Sequence, residues 1–117
     1  MFQRLRTIVY SARNLPKARA FYAQALGQEP YFDEPFYVGF DVNGSELGLD
    51  PNAPAAAQVG PVTYWRVADA DAAHARLLAL GASAHEAVHD VGGGIRLGSV
   101  VDPCGNVVGV MSEPENA

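Results

Sequence analysis

The order strand, helix, strand, strand is written twice in this chain, and that internal repeat limits the architecture more than any single motif. The first copy opens with LRTIVYSA, whose alternation suits a strand. It continues into NLPKARAFYAQALG, where Asn14 can cap a helix and Pro16 suits its first turn. Leu15, Ala18, Phe21, Tyr22, Ala25 and Leu26 make the apolar face of that helix, and Gly27 stops it, with Pro30 just beyond. PFYVGFDV and SELGLD then read as strands joined by Asn43-Gly44, a hairpin dipeptide, with a short extra strand expected near Pro30 to Asp33.

The second copy runs in the same order. PVTYWRVA is a strand, Asp69 or Asp71 can cap the helix DAAHARLLALG, and Gly81 occupies the place of Gly27. GIRLGSVVD and NVVGVM flank DPCGN, whose Asp, Pro, Gly and Asn each favour a turn. PNAPAAAQVGP, rich in Pro and Ala without period, reads as a linker. The expected organisation is one α+β domain over 1–117, with a first repeat at about 1–50, a linker at about 51–61 and a second repeat at about 62–113.

The repeat also decides how to read HEAVHDVGGG, which begins with the H-E-x-x-H pattern of zinc proteases. That pattern has a mechanism only on a helix, where positions i and i+4 share a face. Gly81 ends the helix, so His85, Glu86 and His89 fall on an extended or loop segment. Residues four apart on a strand are separated by about 13 Å, too far for both histidines to reach one zinc. His89 stays a candidate ligand contact, because it precedes the flexible triplet Gly92 to Gly94. His74, among alanines on the second helix, is expected to face solvent. Cys104, the only cysteine, excludes an intramolecular disulfide, has no feature that would activate its thiol, and suits a reducing cytoplasm.

The formal charge of -5 and the absence of a Lys/Arg cluster argue against nucleic acid or an anionic membrane as partner. No run approaches the roughly 20 apolar residues of a membrane span.

Two such units, with AFYAQALG in the first and VVDPCGNVVGV near the end, resemble the vicinal oxygen chelate superfamily of glyoxalases, bleomycin-resistance proteins and extradiol dioxygenases. The resemblance covers nearly the whole chain. It implies two βαβββ repeats forming a cupped mixed sheet with helices outside, and a homodimer. It also implies metal ligands, where they exist, on the first and last strands of each unit. Those positions read Thr7, Gly48, Val62 and Gly109, and glycine and valine have no donor side chain. The expectation is therefore no metal and no cofactor, and a cytoplasmic protein that binds a small molecule, sequestering a drug or metabolite. The alternative is a metal-dependent lyase, isomerase or dioxygenase with a substituted site.

With Thr7 and Val62 facing the cup, alternation directs Val9, Ser11, Tyr64 and Arg66 to the same side, and Ile8, Tyr10, Trp65 and Val67 to the helices. Phe36, Val38 and Phe40 form a helix-facing set, which leaves Tyr37 on the cup side. The candidate ligand-binding residues are Thr7, Val9, Tyr37, Glu46, Asp50, Tyr64, Arg66 and His89. Arg66 can meet an anionic ligand group or lie in solvent at the strand end.

Overall fold

Asn14 caps the first helix as its position predicts, its side chain accepting from the Lys17 N–H at 3.2 Å. That helix, α1 (Leu15–Leu26), ends at Gly27, whose φ of 68° is the left-handed conformation glycine adopts without strain. A computed structural model describes residues 1–53 and 62–114. It divides into two units, Met1–Ala55 and Ala56–Ala117. Most of the expected linker, residues 54–61, lies outside the described residues.

In the first unit, β1 (Thr7–Ser11), β2 (Phe32–Glu34), β3 (Tyr37–Val42) and β4 (Ser45–Asp50) form a mixed sheet in the order β1-β4-β3-β2. β1 runs parallel to β4 and the other pairs are antiparallel. The β3–β4 hairpin closes on Asn43 and Gly44, with φ of 52° and 93°, and the Asp41 carboxylate accepts the Gly44 N–H at 3.0 Å. This two-residue turn sets the register in which Val38 faces Leu49 and Phe40 faces Leu47. All four are buried, as are Tyr10 on β1 and Leu15, Ala18, Phe21 and Tyr22 on α1. The Tyr10 and Tyr22 rings lie 5.7 Å apart, so α1 packs on this face. Each such large side chain contributes about 1.5–3 kcal/mol.

The second unit repeats the topology with β5 (Thr63–Arg66), α2 (Ala70–Ala79), β6 (Ser83–Asp90), β7 (Arg96–Val101) and β8 (Val107–Ser112), in the sheet order β5-β8-β7-β6. Asp69 is the α2 cap, accepting from the Ala72 N–H at 3.1 Å. Unlike Gly27, Gly81 lies one residue past the cap, which is Leu80 in right-handed conformation. The core here is Ala70, Leu77, Val100, Val108 and Val110. Asp102 organises the DPCGN turn: its carboxylate accepts from the Cys104 N–H, the Asn106 N–H and the Asn106 side-chain amide at 2.8–2.9 Å, and both Asp102 and Asn106 are buried.

The fold class is thus α+β, built from two βαβββ modules. Three expectations need correction. Phe36 is 64% exposed, because β3 begins only at Tyr37 and Phe36 sits in the preceding turn against Phe32. Ile8, Trp65 and Val67 face as predicted but are only half-buried, and the deepest packing belongs to β3, β4, β7 and β8. His74 does not face solvent: its Nε2 lies 3.0 Å from the Ser99 carbonyl oxygen, tying α2 to β7. The short strand near Pro30 to Asp33 is β2, shifted toward Glu34.

Candidate functional site

The face of the first sheet away from α1 is made by the alternate residues Tyr37, Gly39 and Asp41 on β3 and Glu46, Gly48 and Asp50 on β4. Gly39 and Gly48 are cross-strand partners, so two adjacent positions carry no side chain. Tyrosine rings occupy the space. A Cβ on Gly48 would overlap the Tyr37 ring, with Cζ at 2.6 Å. A Cβ on Gly39 would lie 3.3 Å from the Tyr31 ring and 3.5 Å from the Glu46 carboxyl carbon. Tyr31 precedes β2 and is anchored by its N–H to the Gly39 carbonyl at 3.0 Å.

Over this glycine floor the Tyr31 and Tyr37 hydroxyls both donate to Glu46, one to each carboxylate oxygen. The hydrogen bonds from Tyr31 and then Tyr37, helped by the Arg6 charge, hold the Glu46 carboxyl below its ordinary range. The same contacts act in reverse on the phenols. Tyr37 is pushed up by burial first and by Glu46 second, and Tyr31 is raised chiefly by its bond to Glu46. Around neutral pH this is one anion held by two neutral donors.

Because Glu46 is depressed in the folded state, its stabilising contribution is fully present above the ordinary carboxylate range and is lost as pH falls through the folded value. Glu46→Gln is therefore expected to flatten the acid limb of the stability curve below about pH 4. Urea midpoints measured between acid and neutral pH check this, and an unchanged acid limb would count against it.

The remaining candidates of the first unit lie around the cluster. Val9, 47% exposed, pairs with Gly48, and Thr7 pairs with Glu46 while its hydroxyl accepts from Arg6 at 2.8 Å. Asp50 sits at the end of β4, where its carboxylate accepts the Asn52 N–H at 2.8 Å and shapes the following turn. Arg4, Arg6, Tyr31, Asp41, Gly44, Ser45 and Glu46 line a recess of about 300 Å³. Three of these, Tyr31, Arg4 and Arg6, escape the strand-alternation argument because they lie just outside the strands.

In the second unit, Tyr64 mirrors Tyr37 in one respect: a Cβ on Gly109 would lie 2.5 Å from its ring. Arg66 pairs with Glu113, Nε to Oε1 at 3.3 Å, with a side chain 82% exposed. His89 donates from Nδ1 to the Ala87 carbonyl at 3.0 Å, and His85 Nδ1 meets the Ser99 hydroxyl at 2.6 Å. Both histidines lie on strand β6, with register shifts around Glu86, so the H-E-x-x-H letters do not lie on a helix. By strand register Tyr31, Gly39 and Glu46 correspond to His85, Ser99 and Val107. The scaffold is duplicated and the carboxylate is not.

The metal of the superfamily does not fit these residues. Of Thr7, Gly48, Val62 and Gly109, only Thr7 has a side-chain oxygen, and the spaces beside Gly48 and Gly109 are filled by Tyr37 and Tyr64. No group of three or more His, Cys, Asp or Glu side chains suited to a metal occurs among the described residues.

Known structures of similar fold come from several bacteria. A glyoxalase-related enzyme from Fulvimarina pelagi is 21% identical, with a TM-score of 0.82, 97% of this chain and 90% of that one covered. A lactoylglutathione lyase from Agrobacterium tumefaciens is 23% identical, with a TM-score of 0.76 and coverages of 96% and 95%. A glyoxalase/bleomycin resistance protein/dioxygenase family enzyme from Burkholderia phytofirmans PsJN is 18% identical, with a TM-score of 0.77 and coverages of 96% and 100%. These likenesses establish the fold alone. No curated protein matches the sequence. The family profile matches residues 4–110, and the chain accordingly belongs to the Glyoxalase/Bleomycin resistance protein/Dioxygenase superfamily.

Proposed function

We propose that this protein binds a small molecule without a metal and does so through the sheet face that carries Glu46. The observation behind this reading is the Tyr31–Glu46–Tyr37 cluster beside the recess, in which two phenol hydroxyls donate to one carboxylate, one to each oxygen. General acid–base catalysis works best with a group whose pKa lies near the working pH. Here the carboxylate moves down and both phenols move up, away from neutrality on either side. A group fixed in one charge state recognises charge and hydrogen-bonding pattern, and transfers protons poorly. A recess with aromatic rings and a few convergent polar groups is also the usual composition of a ligand site.

The protein is proposed to work as a cytoplasmic homodimer, neither nucleic acid nor membrane being its partner. Three-residue β2 is a sheet edge that carries exposed Phe32 and is flanked by exposed Tyr31 and Phe36, which a second copy would cover. No helix among the described residues is long and apolar enough to cross a membrane.

One purified sample tests the reading. Elemental analysis is expected to find far less than one transition metal per chain. A metabolite and antibiotic library screened by thermal shift is expected to give a saturable ligand whose binding survives chelation. Light scattering is expected to give twice 12.4 kDa. A stoichiometric metal whose removal abolishes ligand binding or turnover would overturn the reading.

A further inference from the structure

The recess beside Glu46 has a charge pattern more specific than small-molecule binding requires. Two cations, Arg4 and Arg6, and two anions, Asp41 and Glu46, share its lining. Each arginine is held by a neutral acceptor: Arg4 Nη2 donates to the Gly44 carbonyl at 2.9 Å, and Arg6 Nη1 to the Thr7 hydroxyl at 2.8 Å. Among the described residues, no carboxylate lies within 4 Å of either guanidinium. A guanidinium carries five N–H donors, so most of theirs are unspent toward protein side chains. Glu46 is the converse case. Its carboxylate offers about four acceptor sites, and the tyrosine hydroxyls take two.

A simple anion placed here would gain Arg4 and Arg6 but meet Glu46 and Asp41. A simple cation would gain Glu46 but meet the two arginines. A molecule with both charges satisfies both sets at once, and a small one suffices to fill a recess of about 300 Å³. We propose that this recess binds a zwitterion of the free α-amino-acid type, its carboxylate on the Arg4 and Arg6 guanidiniums and its ammonium on Glu46. This deepens the small-molecule reading and rests on it. Asp41 takes no part in the recognition, since one of its oxygens is already engaged by the Gly44 N–H of the hairpin.

The test uses the twenty common L-amino acids as probes, each titrated up to about 10 mM, a range that detects millimolar affinity. At least one should bind saturably. Its N-acetyl derivative, which keeps only the carboxylate, and its carboxamide, which keeps only the ammonium, should each bind at least about tenfold more weakly. Arg6→Ala should weaken the amino acid about tenfold and erase its advantage over the carboxamide. Glu46→Gln, which keeps the shape, should erase its advantage over the N-acetyl form. Lys17→Ala, on the exposed side of α1, is the control and should change neither, and circular dichroism checks that all variants fold. Failure of all twenty amino acids, or equal binding of a singly charged derivative, overturns the proposal. If the amino acids fail but a library compound binds without metal, the broader reading stands alone. If nothing binds, both fall.

Discussion

Gly48→Ala is expected to destabilise the protein by about 2–3 kcal/mol, although alanine is ordinarily favoured over glycine inside a strand by roughly 0.5–1 kcal/mol. The sign reverses because the new methyl group enters space held by the Tyr37 ring, whose Cζ would be 2.6 Å away. Tyr37 cannot step aside cheaply, since its hydroxyl is bound to Glu46 and its ring also abuts the Gly39 position. Displacing it would strip Glu46 of one of two donors. The effect should belong to the pair: in Tyr37→Ala the glycine position is open, and Gly48→Ala should then cost little. Urea unfolding of the two single variants and the double variant measures the coupling, expected above about 1 kcal/mol. An additive result would mean that the ring does not lie over Gly48.

Asp102→Ala is the other large effect, expected to cost about 3 kcal/mol. Three donors converge on this carboxylate, from the Cys104 N–H, the Asn106 N–H and the Asn106 amide. Removing it leaves the buried Asn106 groups short of acceptors and loosens the turn joining β7 to β8. Asp102→Asn keeps an acceptor in place and should cost less than half as much. Denaturant midpoints for the two variants decide the point, and near-equal stability of Asp102→Ala and wild type would refute the account.

The fold was legible because each unit announces its own boundaries. Asn14, Gly27, Asp69 and Asn43-Gly44 are local signals whose chemistry acts within four residues, so the sequence carries them in full. Tyr37 and Glu46 share one face of the sheet because alternation from a two-residue hairpin assigns both to it. What lay beyond reach depends on neighbours across the sheet. Nothing in helical periodicity tells His74 that the Ser99 carbonyl lies opposite, and nothing on β5 tells Arg66 that Glu113 follows the parallel strand β8. Tyr31 joins Glu46 from a segment with no period at all, held there by a single backbone bond to Gly39. Phe36 failed by one residue, because alternation was carried past the end of the strand.

The β3–β4 hairpin also bears on how the protein ages. Asn-Gly is the dipeptide in which the glycine nitrogen most readily attacks the asparagine side chain, closing a succinimide that reopens mainly as isoaspartate. Here that nitrogen is the Gly44 N–H engaged by the Asp41 carboxylate, and Asn43 is locked at positive φ. The folded hairpin therefore restrains the attacking atom, and opening of the turn is expected to speed the damage. An isoaspartate would add a methylene to the main chain inside a two-residue connection and slip the register that sets Glu46 opposite Asp41. The carboxylate thus acts as a preservative for the recess it borders.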